Sequence, residues 1–177
     1  MMSSTQTLIR LHQTRSGQAH VAWLAAGGLR LPCRIGRGGI THAKREGDGK
    51  TPAGTLRILR GFYRNDRRLP PRTTVPMRPS RRTDGWCDAP GHGAYNRLVR
   101  LPFAHSHETM MRDDAVYDVV LELDWNHKPR RQGRGSAIFL HLMNTQKGAT
   151  AGCIAVEARH IDRLMRVLSR RTRIIIP

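Results

Sequence analysis

The 177-residue sequence contains only three cysteines, few aromatic residues and no long apolar run. No apolar segment approaches the ~20 residues that a membrane-spanning helix requires, so we expect no membrane span. The first six residues lack a basic region followed by an apolar stretch of ~7 to 15 residues, so no secretory signal is visible. Three cysteines cannot all pair. Cys33 and Cys87 could form a disulfide in an exported protein, but so few cysteines favour two buried thiols.

Acidic residues are scarce as well. The chain has 13 acidic and 31 basic residues, a formal net charge of +18, and only four of its basic residues are lysines. A surface of this kind attracts polyanions, of which nucleic acid is the obvious candidate. However, the arginines are spread along the chain, and the sequence has no zinc-finger, RNP or helix-turn-helix signature. We therefore expect no sequence-specific nucleic-acid binding.

Known cofactor motifs are missing too. Residues 49–51 imitate the end of a phosphate-binding loop, but that pattern requires glycine where Lys44 stands. A dinucleotide fingerprint starting at Gly36 would need its third glycine where Thr41 stands. Three histidines could suggest zinc but have no Cys-x-x-Cys, His-Glu-x-x-His or acidic cluster beside them: His92, His105 and His107. We expect neither a metal nor an organic cofactor.

What the sequence does contain is a series of short apolar segments. Its length suits one domain over residues 1–177, large enough for a hydrophobic core. Residues 158–169 carry apolar side chains at three-four spacing with arginines opposite, which predicts an amphipathic helix. We therefore expect a mainly β fold with nine or ten short strands and one helix near the C-terminus. The predicted strands include 7–11, 19–25, 29–35, 56–63, 117–123, 136–142, 154–156 and 172–176.

One stretch, residues 136–156, carries a candidate reactive pair. A buried strand over 136–142 delivers His141, a polar loop follows, and Cys153 precedes the next apolar run, twelve residues after the histidine. Two strand ends joined by one loop can bring these side chains together. A cysteine is a strong nucleophile as thiolate, and a neighbouring imidazole promotes that form, which suits acyl transfer through a thioester.

Gly152 is a suitable neighbour for such a nucleophile. Without a Cβ it would let a substrate carbonyl approach the backbone, where the N–H groups around Gly152 and Cys153 could receive an oxyanion. The alternative is that Cys153 is a small buried residue and His141 a core histidine with its hydrogen bonds satisfied. For an arbitrary Cys and His this second interpretation is the more frequent one.

The spacing from His141 to Cys153, together with Thr150-Ala151-Gly152-Cys153-Ile154, resembles the active-site segment of the L,D-transpeptidase catalytic domain, the YkuD-like family of bacterial cell-wall enzymes. The resemblance covers about residues 29–168 and implies a sandwich of two curved mixed sheets. It extends to short segments typical of the small stand-alone members, which are 36–40, 44–54, 85–88, 95–96, 112–114 and 117–118.

The resemblance also implies roles for the residues of this stretch. Cys153 is expected to be the nucleophile and His141 its base, with Gly152 beside them. Many members of the family have an arginine or asparagine soon after the cysteine, where this chain has Ala155-Val156-Glu157. A substrate-gripping arginine is therefore not expected at that place.

Further residues are expected around the cleft. Three are predicted to contact the substrate: Thr150, Arg112 and Leu142. The backbone carbonyl of Leu142 or of a neighbour is expected to orient His141, because no acidic residue of the segment is an obvious third partner. Asp88, Arg112 and Asp113 could form a network that braces the cleft, or could be solvated charges. The glycine-rich residues 36–54 are expected to form one wall of the cleft.

The resemblance finally implies a function. The expected reaction is peptidoglycan L,D-transpeptidation, in which a tetrapeptide stem forms a thioester with Cys153 and the acyl group passes to an amine. The alternatives are an L,D-carboxypeptidase or amidase that hydrolyses the same thioester, and a non-catalytic basic domain that binds cell wall or nucleic acid. We expect a monomer in the periplasm or cell envelope, although the lack of a visible signal leaves the cytoplasm open.

Overall fold

The computed structural model describes residues 7–14, 17–144 and 148–177. The start of the chain, examined above for a signal, and residues 145–147 of the predicted loop after His141 lie outside the described residues. The described part forms fourteen strands, one α-helix and a 3-10 turn at Ala115–Tyr117. The elements are β1 (Leu8–Gln13), β2 (Val21–Ala26), β3 (Leu29–Arg34), β4 (Ile40–Thr41), β5 (Thr51–Pro52), β6 (Gly54–Tyr63), β7 (Met77–Pro79), β8 (Asp84–Cys87), β9 (Arg97–Arg100), β10 (His107–Thr109), β11 (Val119–Leu123), β12 (Phe139–Leu142), β13 (Ile154–Val156), α1 (Ala158–Val167) and β14 (Arg173–Ile176).

The main sheet closes on itself as a barrel. Its strands follow the order β11-β12-β13-β3-β2-β1-β14-β6, and β6 also pairs with β11. β6 closes the ring because it is ten residues long: residues 54–57 pair with β14, and 58–63 pair with β11. β7 adds to β6 beyond the end of β14. Two small sheets, β10-β8-β9 and β4-β5, complete the described strands.

The prediction of a mainly β fold with one helix is confirmed, whereas the sandwich of two mixed sheets is not. Parallel and antiparallel pairs do occur together, but in one closed sheet rather than in two packed ones. The reason is the reach of β6, which continues the sheet on both of its edges and leaves no gap at which two sheets could separate.

The barrel interior holds the larger hydrophobic core. β2 shows why, since its side chains alternate and every second one, Ala22, Leu24 and Ala26, is buried. The predicted helix forms as α1, two residues shorter than expected, and packs its apolar stripe on the same core. No helix among the described residues is long and apolar enough to cross a membrane.

A second apolar cluster covers the outer face of β11 and β12. Along β12, Leu140 and Leu142 point into the barrel, while Phe139 belongs to the outer cluster. The outer cluster also contains Phe62, Trp86, Met110, Tyr117, Val120 and Ala137. The candidate pair, Cys153 and His141, therefore lies between the barrel wall and an outer apolar layer.

Cys33 and Cys87 are both free and buried, so the chain follows the expectation of two buried thiols rather than a disulfide between them.

The helix should contribute strongly to barrel stability. Leu164 of α1 is fully buried in the barrel core, so Leu164→Ala should lower the free energy of unfolding by about 2–5 kcal/mol through lost burial and a cavity. Denaturant unfolding followed by circular dichroism measures the change. Arg163→Ala, an exposed neighbour, should stay within about 0.5 kcal/mol of the wild type. Equal losses in the two variants would contradict the packing described.

Candidate active site

Cys153 and His141 line one cavity on the outer side of the barrel. Its volume is about 370 Å³. Cys153 is partly exposed as a residue and contributes to the cavity wall. His141 is buried but still contributes to the cavity wall. The two residues singled out by their spacing are thus brought to the same space.

The pairing of β12 with β13 explains why they meet. These strands are parallel, with His141 opposite Ala155 and Leu140 opposite Ile154. Continued by one residue, this register sets Cys153 beside Phe139, and the Phe139 N–H does donate a hydrogen bond to the sulfur, at 3.4 Å. Because side chains alternate, Cys153 and His141 face the same side as diagonal neighbours.

The thiol is held in its neutral form. Cys153 Sγ donates to the carbonyl oxygen of Ala137 at 3.1 Å. Burial raises the pKa of the Cys153 thiol to about 12, while the Phe139 amide and the charge of Lys44 act to lower it and Glu108 acts to raise it. At neutral pH the resting sulfur therefore carries its proton.

The imidazole is neutral as well, and its tautomer follows from its partner. His141 Nδ1 lies 2.7 Å from the carbonyl oxygen of Leu142. Because a carbonyl only accepts, Nδ1 carries the hydrogen, and Nε2 carries a lone pair that accepts from no described residue. Burial lowers the pKa of His141 to about 4. Leu142 contributes this carbonyl to the site, whereas its side chain packs inside the barrel and does not line the cavity.

Thr150 clamps the turn that carries the cysteine. Its hydroxyl donates to the carbonyl of Cys153 at 2.7 Å and accepts from the N–H of Gly152 at 3.2 Å. Thr51 adds a hydrogen bond from its hydroxyl to the Gly152 carbonyl at 2.9 Å. Thr150 also lines the cavity. Its hydroxyl is thus already used within the turn, so any contact with a substrate would have to compete with these bonds.

Gly152 is required by its surroundings. Its φ is +147°, and a Cβ there would lie 2.8 Å from the carbonyl oxygen of Lys50. Of the two backbone N–H groups expected to receive an oxyanion, that of Gly152 is engaged by Thr150. That of Cys153 makes no hydrogen bond to any described residue and is the one left for this purpose.

Arg112 lines the cavity but is already paired. Its guanidinium binds both carboxylate oxygens of Asp114, at 2.9 and 2.8 Å, and lies 3.7 Å from Glu108. Tyr117 donates its hydroxyl to Glu108 at 3.0 Å, and burial raises the pKa of that carboxyl group. The network that braces this wall is therefore built on Glu108 and Asp114. The Asp113 expected there instead offers its carbonyl to Arg67, at 2.9 Å.

Two arginines line the cavity: Arg34, which the sequence did not single out, and Arg37, which belongs to the residues 36–54 expected to form a wall of the cleft. Neither forms an ion pair with any described residue. Arg34 of β3 is paired with Ala155, which is in turn paired with His141. Two strand spacings, ~10 Å, thus separate the backbones of Arg34 and His141. Side chains alternate along β3, so Arg34 faces out of the barrel. Which residues lie beside Arg34 depends on the β13–β3 pairing, which the sequence alone does not reveal.

The three histidines considered as zinc ligands lie close together but do not form a metal site. The ring centroids of His92 and His105 are 4.3 Å apart, and these rings pack with Phe103. Nδ1 of His107 is hydrogen-bonded to the carbonyl of His105. Within residues 7–14, 17–144 and 148–177, no group of three or more His, Cys, Asp or Glu side chains is arranged to hold a metal ion.

Of the comparisons with known proteins, the one with family models agrees with the resemblance of the sequence. The family model of the L,D-transpeptidase catalytic domain (YkuD) matches residues 14–176, which confirms the resemblance and widens it. A solved structure, that of Bd1075 from Bdellovibrio bacteriovorus, is 13% identical with a TM-score of 0.47, over 98% of this chain and 48% of that one. This chain thus spans about half the length of that structure. No curated protein matches the chain.

The buried imidazole should make stability depend on pH. The unfolded chain takes up the His141 proton near pH 6.5 and the folded chain only near pH 4. Between these values the unfolded state binds more protons, so stability falls as the pH falls, by about 3 kcal/mol from this group.

His141→Gln should remove this component from the free energy of unfolding measured by urea titration between pH 6.5 and pH 4. His105→Gln, at an exposed position, should keep the slope of the wild type. Equal slopes in all three proteins would contradict a neutral buried His141.

Proposed function

We propose that this chain, which belongs to the L,D-transpeptidase catalytic domain family (YkuD), transfers acyl groups of peptidoglycan stem peptides through a thioester on Cys153. The observation that carries the proposal is the shared face of β12 and β13. It directs a partly exposed thiol and an imidazole with a free Nε2 into one cavity. The reaction belongs in the cell envelope, where peptidoglycan lies, and residues 1–177 act as one catalytic domain.

The first half-reaction forms the thioester. As Cys153 Sγ attacks the carbonyl at the L-centre of the diamino-acid residue of a tetrapeptide stem, His141 Nε2 takes the thiol proton. The N–H of Cys153, which bonds to no described residue, donates to the oxyanion that forms. When the tetrahedral intermediate collapses, the C–N bond breaks and the imidazolium returns its proton to the amine of the leaving D-alanine.

The second half-reaction reverses these roles. The side-chain amine of another stem, or a free D-amino acid, attacks the thioester carbonyl while His141 Nε2 takes a proton from the amine. The C–S bond breaks, the sulfur regains its proton from the imidazolium, and an amide is released. Both proton transfers use Nε2 because the bond from Nδ1 to the Leu142 carbonyl fixes the other side of the ring.

The neutral resting pair sets the timing of the first proton transfer. Because burial raises the pKa of the thiol and lowers that of the imidazole, the neutral pair is favoured over a thiolate–imidazolium pair in the free protein. The proton therefore moves as the carbonyl arrives and as the developing charge meets the Cys153 N–H.

The charges around the cavity orient the substrate. We assign the carboxylate of the terminal D-alanine to Arg34 and Arg37, since these guanidiniums line the cavity and form no ion pair with described residues. A guanidinium recognises a carboxylate through charge-assisted hydrogen bonds. Arg112 instead holds the opposite wall through Asp114 and Glu108.

Hydrolysis of the same thioester is the second candidate. The partial exposure of Cys153 favours it, because water can reach a thioester formed there. The two outcomes share the first half-reaction and differ only in the acceptor, an amine or water.

Incubation with tetrapeptide muropeptides, followed by mass spectrometry, distinguishes the candidates. Cross-linked dimers or D-amino-acid exchange support transpeptidation, tripeptides support hydrolysis, and unchanged tetrapeptides would argue for a binding domain. Cys153→Ala should lower turnover at least about a thousand-fold with an unchanged circular dichroism spectrum, because the nucleophile is lost. Activity of this variant close to that of the wild type would refute the assignment.

The terminal carboxylate should matter to the donor. We expect kcat/KM for a tetrapeptide to exceed that for its C-terminal amide by roughly 10- to 100-fold, from charged hydrogen bonds to Arg34 and Arg37. Arg34→Gln should lower this preference, because one of the two guanidiniums assigned to the carboxylate is lost. Arg30→Gln, on the same strand but stacked on Trp23 outside the cavity, should keep it. A preference that is the same in all three proteins would exclude Arg34 from this role.

A further inference from the structure

Outside the cavity, one buried amide is connected to the thiol through a single residue. We propose that Asn96 is a positioning residue for Cys153, and that it acts by holding Ala137 in the conformation whose carbonyl receives the thiol. The effect on turnover rests on the function proposed above. The effect on the thiol itself is independent of that function.

The side chain of Asn96 is fully engaged. It is 5% exposed, and its Nδ2 donates to the carbonyls of Trp125 and Asn126 at 3.1 and 3.0 Å. Its Oδ1 accepts from Trp86 Nε1 at 3.0 Å and from the N–H of Ala137 at 3.1 Å. The carbonyls can only accept and the N–H groups can only donate, so the amide has one possible orientation. Both of its donors and both of its acceptor sites are used.

Ala137 lies in an unfavourable backbone conformation. Its φ is +50°, which glycine adopts freely but which places the Cβ of alanine against the backbone. In this conformation its N–H meets Asn96 and its carbonyl meets Cys153 Sγ. The preceding residue is tethered as well, because the Ser136 hydroxyl donates to Glu46 at 2.7 Å. The bond from Asn96 thus maintains the strained residue that holds the thiol.

The position of Asn96 separates this role from substrate binding. Asn96 does not line the cavity of Cys153, so its loss should leave KM nearly unchanged. Without the bond, Ala137 should relax to negative φ and turn its carbonyl away from the sulfur. The neutral thiol then loses the acceptor that stabilised it. It is also no longer held in a fixed direction toward the cavity.

The experiment measures the alkylation of Cys153 by iodoacetamide against pH in the folded full-length chain. Cys33 and Cys87 have no exposed surface, so native alkylation reports on Cys153. In Asn96→Ala we expect the rate at pH 8 to rise roughly three- to ten-fold, the effect of one lost hydrogen bond to the neutral thiol. With stem peptide, kcat should fall about 10- to 100-fold while KM changes little.

Three variants separate positioning from stability. Trp86→Phe removes a different bond to Asn96, so it should lower stability but keep the alkylation profile and kcat. Asn96→Asp keeps an acceptor for the Ala137 N–H, so it should keep kcat within a few-fold although it loses stability. Adding Ala137→Gly to Asn96→Ala should restore the alkylation profile and much of kcat, because glycine tolerates φ of +50° without help.

The proposal is overturned if folded Asn96→Ala alkylates and turns over like the wild type, or if Trp86→Phe matches its losses. Should Asn96→Ala fail to fold, Asn96→Asp decides, and a ten-fold loss of kcat in that folded variant counts against the proposal. If the wild type itself converts no stem peptide, the proposed function fails, while the alkylation profiles still decide the role of Asn96.

Discussion

The parallel pairing of β12 with β13 is the constraint on which the candidate site depends. Its register places His141 opposite Ala155 and Cys153 beside Phe139, so both reactive side chains leave the barrel wall on the same side. A shift of one residue would turn one of them into the barrel core. The closed ring resists such a shift, because β12 is paired with β11 and β13 with β3 on their other edges.

Around this pair the chain uses hydrogen bonds rather than opposite charges. Thr150 and Thr51 fix the turn before β13, the Leu142 carbonyl fixes the imidazole, and the Ala137 carbonyl receives the thiol. The charged groups stand farther out, with Arg112 neutralised by Asp114 on one wall. The result is a neutral, oriented pair of side chains in a chain whose net charge is +18.

The elements, and the meeting of Cys153 and His141 at one cavity, could be predicted from the sequence better than their surroundings could. The helix and strands follow from local periodicity, and Cys153 and His141 follow from their spacing and from the residues around Gly152. The closed ring could not be predicted, because it depends on β6 pairing with strands far away in the chain. The place of Arg34 at the cavity and the hydrogen bonds of Asn96 could not be predicted for the same reason. Arg34 reaches the cavity through the β13–β3 register, and Asn96 bonds to residues 29 to 41 positions away.

The protonated state of Cys153 also bears on how long the protein can survive before it meets a substrate. Peroxides and disulfides react with thiolates far more readily than with thiols. A sulfur whose pKa is raised to about 12 offers them almost no anion, even though it is partly exposed. Such a thiol is therefore oxidised to sulfenic acid, or captured in a mixed disulfide, more slowly than a thiol with an ordinary pKa.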